Sequence, residues 1–295
     1  MLVEIDPLVI AQMTLGAIAD IAFAMALGAT LLGFGGQRRA LTIRVSLVVW
    51  LVVQAAYIVL QASLMSGTPV GSAWSSVALV VRASHFGLMW SVGIGTGVVA
   101  LLLACVVERE QASGIAGRVL MIVAFVIMAF AHAGSTHAAD AGDFSVPECV
   151  HAVHLWMTAA WAGVVLSAAW PLKAMFRPWS SETLRYLRRL SLLAMLTFAI
   201  AIATGISNAW RGLGGSLAPL TTSLWGELLL AKLVAVGIVV ILGAINRLAH
   251  LAHRNAIDRP TLQVFMRLLS CEAVLMIVVL AAASVLGHSM PAAVG

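Results

Sequence analysis

The sequence predicts an all-α membrane protein, an eight-transmembrane-helix bundle with both termini periplasmic. Three observations support this fold class. Hydrophobic residues make up 62% of the 295 residues and charged residues only 10%, whereas a soluble domain carries about 25% charged residues. Apolar stretches of membrane-spanning length recur along the chain. Positive charge is concentrated in alternate connections, which orients the helices.

A spanning helix needs about 20 mostly apolar residues. Eight stretches meet this requirement: 8–35, 44–65, 75–107, 115–136, 147–172, 189–210, 222–247 and 263–287. The first residues lack a basic region and a cleavage site, so we expect the first stretch to remain as a membrane helix. The fourth and eighth stretches have similar histidine-containing ends, which suggests two four-helix halves, 1–143 and 144–295.

Positive charge is distributed unevenly along the chain. Of the 17 Lys and Arg residues, 14 lie in or beside the connections after the first, third, fifth and seventh stretches. They are Arg38, Arg39, Arg44, Arg109, Arg118, Lys173, Arg177, Arg185, Arg188, Arg189, Arg247, Arg254, Arg259 and Arg267. Because cytoplasmic loops carry this excess, we expect these connections inside the cell and both termini outside. No long basic tract interleaved with aromatic residues is present, so the predicted surroundings are the lipid bilayer and not nucleic acid.

Five ionisable side chains fall inside the predicted spans, where each costs at least about 2.5–3.5 kcal/mol. They are Asp20, Arg82, Glu227, Lys232 and Glu272. Counting depth along the helices predicts two pairs, Lys232 with Glu272 and Arg82 with Glu227. Asp20 is then a second partner for Lys232 or a lone carboxyl. These residues either lock the bundle or line a polar path.

Histidines gather at the predicted outer face. His132, His137, His151, His154 and His288 lie at or near it, and His85 lies deeper in the third stretch. The sequence Ser145-Val146-Pro147-Glu148 is typical of a helix start with a capping box. His151 and His154 follow at a spacing that puts both on one helix face. We expect a metal or cofactor site that uses at least two of His132, His151, His154 and His85.

Soft ligands accompany these histidines. Met157 continues the face of His154, Met89 lies one turn after His85, and Met290 follows His288. This mixture suits copper, because imidazole binds Cu(II) and tolerates Cu(I) while thioether favours Cu(I). Zinc is an alternative metal, and paired histidines can hold b-type haem. Cys149 is either a packing residue or a thiolate ligand.

A further pair of histidines lies outside the group at the outer face. His250 and His253, on an inner connection, either accept an ion that leaves the membrane or form a titratable surface. The sequence contains no nucleotide-binding loop and nothing like a catalytic triad, which disfavours ATP-driven transport and enzymatic activity.

Several motifs in residues 130–291 resemble the copper resistance protein D (CopD) family. They are Ala131-His132-Ala133-Gly134, the run from His154 through Trp161 to Gly163, Arg188-Arg189-Leu190-Ser191, Thr204-Gly205, Trp225-Gly226-Glu227, Gly243-Ala244-Ile245-Asn246-Arg247, and Arg267 followed by Glu272. Trp225 stands where the family commonly has Tyr, and Ala131 replaces a familiar Gly. The resemblance implies an inner-membrane protein, copper as the ion, inward movement and a periplasmic CopC-type copper-binding partner.

The sequence thus predicts copper transport through a His/Met site at the periplasmic mouth. His132 and His154 are the expected primary ligands, with His151, His85 or a nearby Met completing the shell. Two other functions stay open at this point, a b-type haem membrane cytochrome and a copper chaperone for assembly of a respiratory oxidase.

Overall fold

The computed structural model describes residues 6–109, 115–251 and 257–293, and all regular structure within them is helical. The α-helices are α1 (Pro7–Leu32), α2 (Gly36–Ser66), α3 (Trp74–Ala83), α4 (His85–Arg109), α5 (Ile115–Gly134), α6 (Val146–Ala169), α7 (Ser181–Gly212), α8 (Pro219–Thr222), α9 (Leu224–His250) and α10 (Arg259–Gly287). In this described part, eight helices are long and apolar enough to cross a membrane. The all-α, eight-span prediction is therefore confirmed. His253 and Arg254 lie outside the described residues.

The third predicted stretch, 75–107, is not one helix. Ser84 has extended backbone dihedrals, φ −119° and ψ 148°, and separates α3 from α4. Its hydroxyl donates to the Val80 carbonyl at 2.7 Å and accepts from the Gly87 backbone N–H at 2.9 Å. The serine therefore ends one helix and caps the next. The predicted stretch therefore still provides one spanning helix, but that helix begins at His85, because hydropathy does not register a break made by one small polar residue.

The spans alternate in direction because short connections join successive helices. Both ends of the described chain therefore lie at one end of the bundle, together with residues 67–73, 135–145 and 213–223. We call this the histidine end. The opposite end, with residues 33–35, 170–180 and 251–258, is called the arginine end.

Helices α1 and α6 form the centre of the bundle. Each packs against the other and against α5 and α10, while α2 adds to α1 and α7 to α6. At their closest approach, a Cβ added to Gly163 would lie 1.8 Å from the Ala24 carbonyl oxygen, and one added to Gly28 would lie 2.0 Å from the Gly163 carbonyl carbon. The Ser167 hydroxyl donates to the Met25 carbonyl across the same contact at 3.2 Å. Small residues thus bring the two backbones into contact, as in other membrane helix pairs.

The start of α6 follows the predicted pattern. The Ser145 hydroxyl accepts from the Glu148 backbone N–H at 3.4 Å, and Pro147 lies in the first turn. The Glu148 carboxylate accepts from the backbone N–H of Phe144, one residue earlier than in a standard capping box. This cap fixes where α6 begins and so sets the height of His151 and His154 in the bundle.

Helix α9 presents an apolar surface away from the core. Val234, Ile238, Ile241 and Ile245 follow one another at helical spacing and are all exposed. Such a stripe is compatible with lipid as its neighbour, since lipid tails solvate apolar side chains. The opposite face of α9 packs on α10, and the buried Asn246 belongs to this contact.

Candidate functional site

Polar side chains from six helices meet in the half of the bundle nearest the histidine end. The first contact joins α1 to α5, because the Asp20 Oδ1 atom lies 3.9 Å from Nδ1 of His132. Both side chains are partly buried. Asp20 also lies within electrostatic range of Lys232 on α9 and His288 at the end of α10. The Asp20 carboxylate therefore interacts electrostatically with three groups that carry, or can carry, a positive charge.

His288 has both ring nitrogens engaged. Its Nδ1 lies 2.7 Å from the Ser284 carbonyl oxygen, and its Nε2 lies 3.0 Å from the Tyr57 hydroxyl on α2. A carbonyl can only accept, so Nδ1–H donates to Ser284 and Nε2 of the neutral ring accepts from Tyr57. His288 can bind a metal through Nε2 only after the Tyr57 hydroxyl has moved away.

His151 and His154 lie on one face of α6, as predicted from their spacing. Their ring centroids are 6.5 Å apart. His151 is also within electrostatic range of His132 and Lys232, and His154 within range of Lys232. The two rings therefore belong to the same assembly as the Asp20–His132 contact.

His154 is held in an orientation that suits a metal ligand. Its Nδ1–H points to the Ala201 carbonyl at 3.0 Å, with the Thr204 hydroxyl at 3.3 Å. This contact assigns the proton to Nδ1 and leaves the Nε2 lone pair available, the usual arrangement for a ligating histidine. Gly205 on α7 makes room for the ring, because a Cβ there would lie 2.9 Å from His154 Cε1.

His151 contacts a different polar residue of α7. The Asn208 side-chain amide lies 3.2 Å from His151 Nδ1. Either the amide donates to this nitrogen or, with the amide turned over, its oxygen accepts from Nδ1–H; the second arrangement frees Nε2. Asn208 therefore sets which nitrogen of His151 can reach an ion.

We call this assembly the polar cluster. It consists of Asp20, Tyr57, His132, His151, His154, Lys232 and His288. The sequence pointed to all of these except Tyr57, and it also missed the supporting residues Asn208, Thr204 and Gly205. Tyr57 is one of only two tyrosines, and Asn208 interrupts an apolar span, so both carried a usable signal.

Three of the predicted ligands lie outside the polar cluster. His85 Nε2 pairs with the Asp143 carboxylate at 2.8 Å in an exposed position. The Met89 sulfur borders Gly134 together with the buried carboxylate of Glu148. Met290 is 76% exposed near the chain end. These three residues lie at the histidine end, outside the contacts that define the polar cluster.

Two further candidates have mainly packing contacts. Met157 is buried. The Cys149 thiol is free and donates to the Phe144 carbonyl at 3.6 Å. Among the described residues, no three His, Cys, Asp or Glu side chains stand close enough to hold a metal ion together. The polar cluster is therefore an open set of donors and not a closed structural metal site.

The predicted pairing of Lys232 with Glu272 was wrong. Glu272 Oε1 accepts from the Asn246 amide at 2.7 Å. Asn246 follows Lys232 by fourteen residues on the same helix, which is about 21 Å along the axis. Lys232 instead faces Asp20. The prediction compared only the depths of charged residues and did not consider an uncharged hydrogen-bond partner. The Asn246 amide, and not the Lys232 ammonium, contacts the Glu272 carboxyl group.

Arg82 and Glu227 do not form the second predicted pair. Arg82 is exposed on the short helix α3, which packs on α2 and α4, and Glu227 is exposed in the first turn of α9. Neither helix packs on the other, so similar depth does not bring the two charges together. Both residues lie near the histidine end, at the border of the apolar region.

Known proteins resemble this chain over most of its length. The family description "Copper resistance protein D-like, N-terminal domain" matches residues 6–146, and "Copper resistance protein D" matches residues 184–286. A curated relative is Inner membrane protein YebZ of Escherichia coli strain K12, which is 26% identical over 216 residues, covering 71% of each chain. No solved structure gives a significant match.

Proposed function

Because this chain belongs to the copper resistance protein D family, we propose that it carries copper ions across the bacterial inner membrane, from the periplasm to the cytoplasm. The relative's name places that protein in the inner membrane, and eight apolar helices of spanning length are compatible with the same location here. Copper is the cargo in this proposal and not a resident cofactor.

The observation that carries the proposal is the convergence of imidazoles from separate helices. His132 comes from α5, His151 and His154 from α6, and His288 from the end of α10. Histidine is among the few protein side chains that bind copper in both oxidation states. Ionisable groups within a bilayer are costly and usually mark an ion path. Together, these points favour the polar cluster as the copper-receiving site.

His154 and His132 are the primary ligands in this proposal. His154 has its Nδ1–H fixed on a backbone carbonyl, so its Nε2 is directed without further rearrangement. His151 is the next ligand, since its ring lies beside that of His154. Met157 lies one turn further along α6, so its thioether can bind the ion as it moves inward. The Cys149 thiol, at the start of α6, is an additional ligand.

Lys232 keeps the site from binding copper too tightly. Its ammonium acts on Asp20, His151 and His154, so an arriving cation meets repulsion as well as ligands. Asp20 offsets part of this repulsion because its carboxylate interacts electrostatically with both the ammonium and His132. A transport site has to bind an ion strongly enough to admit it and weakly enough to release it.

The histidine end is the periplasmic side in this proposal. The connections at the opposite end contain most of the Arg and Lys residues, which is the pattern of cytoplasmic loops. His85 with Asp143, Met89, and His288 with Met290 then stand around the periplasmic mouth. They provide the surface on which a CopC-type copper-binding protein would deliver its ion.

Copper uptake into proteoliposomes tests this function. We expect the native chain to accumulate copper, and His154→Ala or His132→Ala to reduce uptake at least tenfold, about 1.4 kcal/mol. His137→Ala is the matched control, because His137 pairs with Asp140 in the exposed connection before α6. Uptake by the His154 and His132 variants equal to that of the control would refute these ligand assignments. Copper binding without uptake would point to a chaperone.

A further inference from the structure

A second polar site lies towards the arginine end, between α9 and α10. Glu272 is 5% exposed and Asn246 is 3% exposed. The Asn246 amide nitrogen donates to Glu272 Oε1 at 2.7 Å and approaches the Phe265 carbonyl at 3.4 Å. Gly243, one turn earlier on α9, leaves the second carboxyl oxygen uncrowded. This pair is about 21 Å from the level of Lys232, so it is distinct from the polar cluster.

The charged groups on the surrounding helices are directed elsewhere. On α9, the Arg247 guanidinium donates to the Ser191 hydroxyl of α7 at 2.8 Å. His250, one turn after Asn246 on α9, has a buried Nδ1 atom with no hydrogen-bond partner among the described residues. On α10 itself, Arg259 and Arg267 are exposed. The other helices packed on α10 are α1 and α6. Glu148, His151 and His154 lie near the start of α6, at the histidine end, and Asp20 lies at the middle of α1, in contact with His132. Within the described residues, none of these groups forms an ion pair with Glu272.

A buried carboxylate without a cation is costly in a bilayer, whereas a carboxylic acid is uncharged. The acid also supplies a hydrogen-bond donor that the carboxylate lacks. Among the described residues, the Asn246 side-chain oxygen is buried and has no donor. A carboxylic acid and a primary amide can form two hydrogen bonds, the amide N–H to one carboxyl oxygen and the acid O–H to the amide oxygen. Only the first of these is available to the ionised pair.

From this geometry, we infer that Glu272 and Asn246 form a proton-binding site in the half of the bundle nearest the arginine end. Glu272 holds the proton as a carboxylic acid, and Asn246 positions it through its amide. Before copper arrives, Glu272 therefore binds a proton and not a copper ion.

A link between this site and copper movement rests on the proposed function. When Cu(I) reaches Glu272, the O–H bond breaks, its electron pair stays on the carboxyl oxygen, and the proton passes to water at the arginine end. The carboxylate then balances the charge of Cu(I). One cation replaces another, so the net charge of the buried site does not change, which avoids the cost of a lone charge there.

Infrared spectroscopy of the purified chain in lipid nanodiscs at pH 7 tests the proton site without reference to transport. We expect a carbonyl stretching band of a protonated carboxylic acid in the native chain, its loss in Glu272→Gln, and its retention in Glu227→Gln. Glu227 is the matched control because it is an exposed glutamate at the border of the same pair of helices. Identical spectra of the native chain and Glu272→Gln would overturn the inference.

A second variant guards against misfolding of Glu272→Gln. Asn246→Leu keeps the carboxyl group and removes its partner, so the same band should shift in frequency; an unshifted band would overturn the role of Asn246. Addition of Cu(I) to the native chain should diminish the band. An undiminished band in protein that accumulates copper would overturn the exchange step. Absence of copper uptake would refute the proposed function and leave the band test unaffected.

Discussion

Asp20 and His132 join the first spanning helix to the end of α5 through a carboxylate–imidazole contact of 3.9 Å. This contact lies within the segment matched by one family description, residues 6–146, while Lys232 lies in the segment matched by the other, residues 184–286. Asp20 is within electrostatic range of both His132 and Lys232. The polar cluster therefore takes residues from both matched segments, while His151, His154 and His288 lie outside both.

Replacing Asp20 should weaken copper binding. In Asp20→Asn the positive charge of Lys232 is no longer offset beside the imidazoles, so an arriving cation meets greater repulsion. We expect the dissociation constant for copper to rise by about tenfold, or about 1.4 kcal/mol, in equilibrium titrations of the detergent-purified chain. Asp140→Asn removes a carboxylate from the exposed connection before α6 and should bind copper like the native chain. Equal affinities of the two variants would contradict this role of Asp20.

A methyl group at Gly205 should disturb the copper site without changing any ligand. The added Cβ would lie 2.9 Å from His154 Cε1, so the ring has to move off the Ala201 carbonyl that orients it. We expect Gly205→Ala to lose copper affinity about tenfold or more, in keeping with the effect of disrupting the groups that orient metal ligands.

Gly237→Ala on α9 is the matched control for Gly205→Ala, because nothing lies within 4 Å of a Cβ at that position. Helix propensity favours alanine equally at both sites. Thermal unfolding measured alongside the titration distinguishes a local effect from loss of the fold. Native affinity in a folded Gly205→Ala protein would show that His154 orientation does not matter for binding.

Several features of this molecule were predictable from the sequence because they depend on position along the chain. Helix length, the start of α6 and the common level of His132, His151 and His154 follow from hydropathy, capping and the 1.5 Å rise per residue. Pairing was less predictable, because height along a helix does not give the direction in which a side chain points. Lys232 and Glu272 were assigned to each other on height, although Asn246 was the partner of Glu272.

The residues that sequence reasoning missed act as partners and not as ligands. Tyr57 stands out in the sequence as one of two tyrosines and Asn208 as a polar residue in an apolar span, but only the structure shows that they contact His288 and His151. Tyr57 on α2 is 231 residues from His288, and Asn208 on α7 is 57 residues from His151. A pattern read along one helix cannot show these contacts, because they depend on how the helices are arranged in space.

Removing the Tyr57 hydroxyl should make His288 available to copper. Tyr57→Phe keeps the ring, which packs near Phe86 and His288, and removes the donor that occupies His288 Nε2. We expect copper affinity to rise by about two- to twelvefold, the equivalent of about 0.5–1.5 kcal/mol for one hydrogen bond that no longer has to break. In the double variant Tyr57→Phe with His288→Ala this gain should disappear. A gain that persists in the double variant would show that His288 is not the added ligand.

The contact between α1 and α6 should determine the stability of the bundle. In Gly163→Ala the new methyl group would lie 1.8 Å from the Ala24 carbonyl oxygen, and backbone atoms cannot move aside as a flexible side chain can. Separation of the helices would also lengthen the hydrogen bond from Ser167 to the Met25 carbonyl. Overpacking of this kind costs about 1–3 kcal/mol, which exceeds the gain of about 1 kcal/mol from alanine in a helix. We expect a lower midpoint of unfolding for Gly163→Ala in denaturant titrations in mild detergent.

Gly95→Ala is the matched control. Nothing lies within 4 Å of a Cβ added at this position, so this variant should unfold at or above the native midpoint. Equal midpoints for Gly163→Ala and Gly95→Ala would mean that α1 and α6 do not meet as closely as this structure has them.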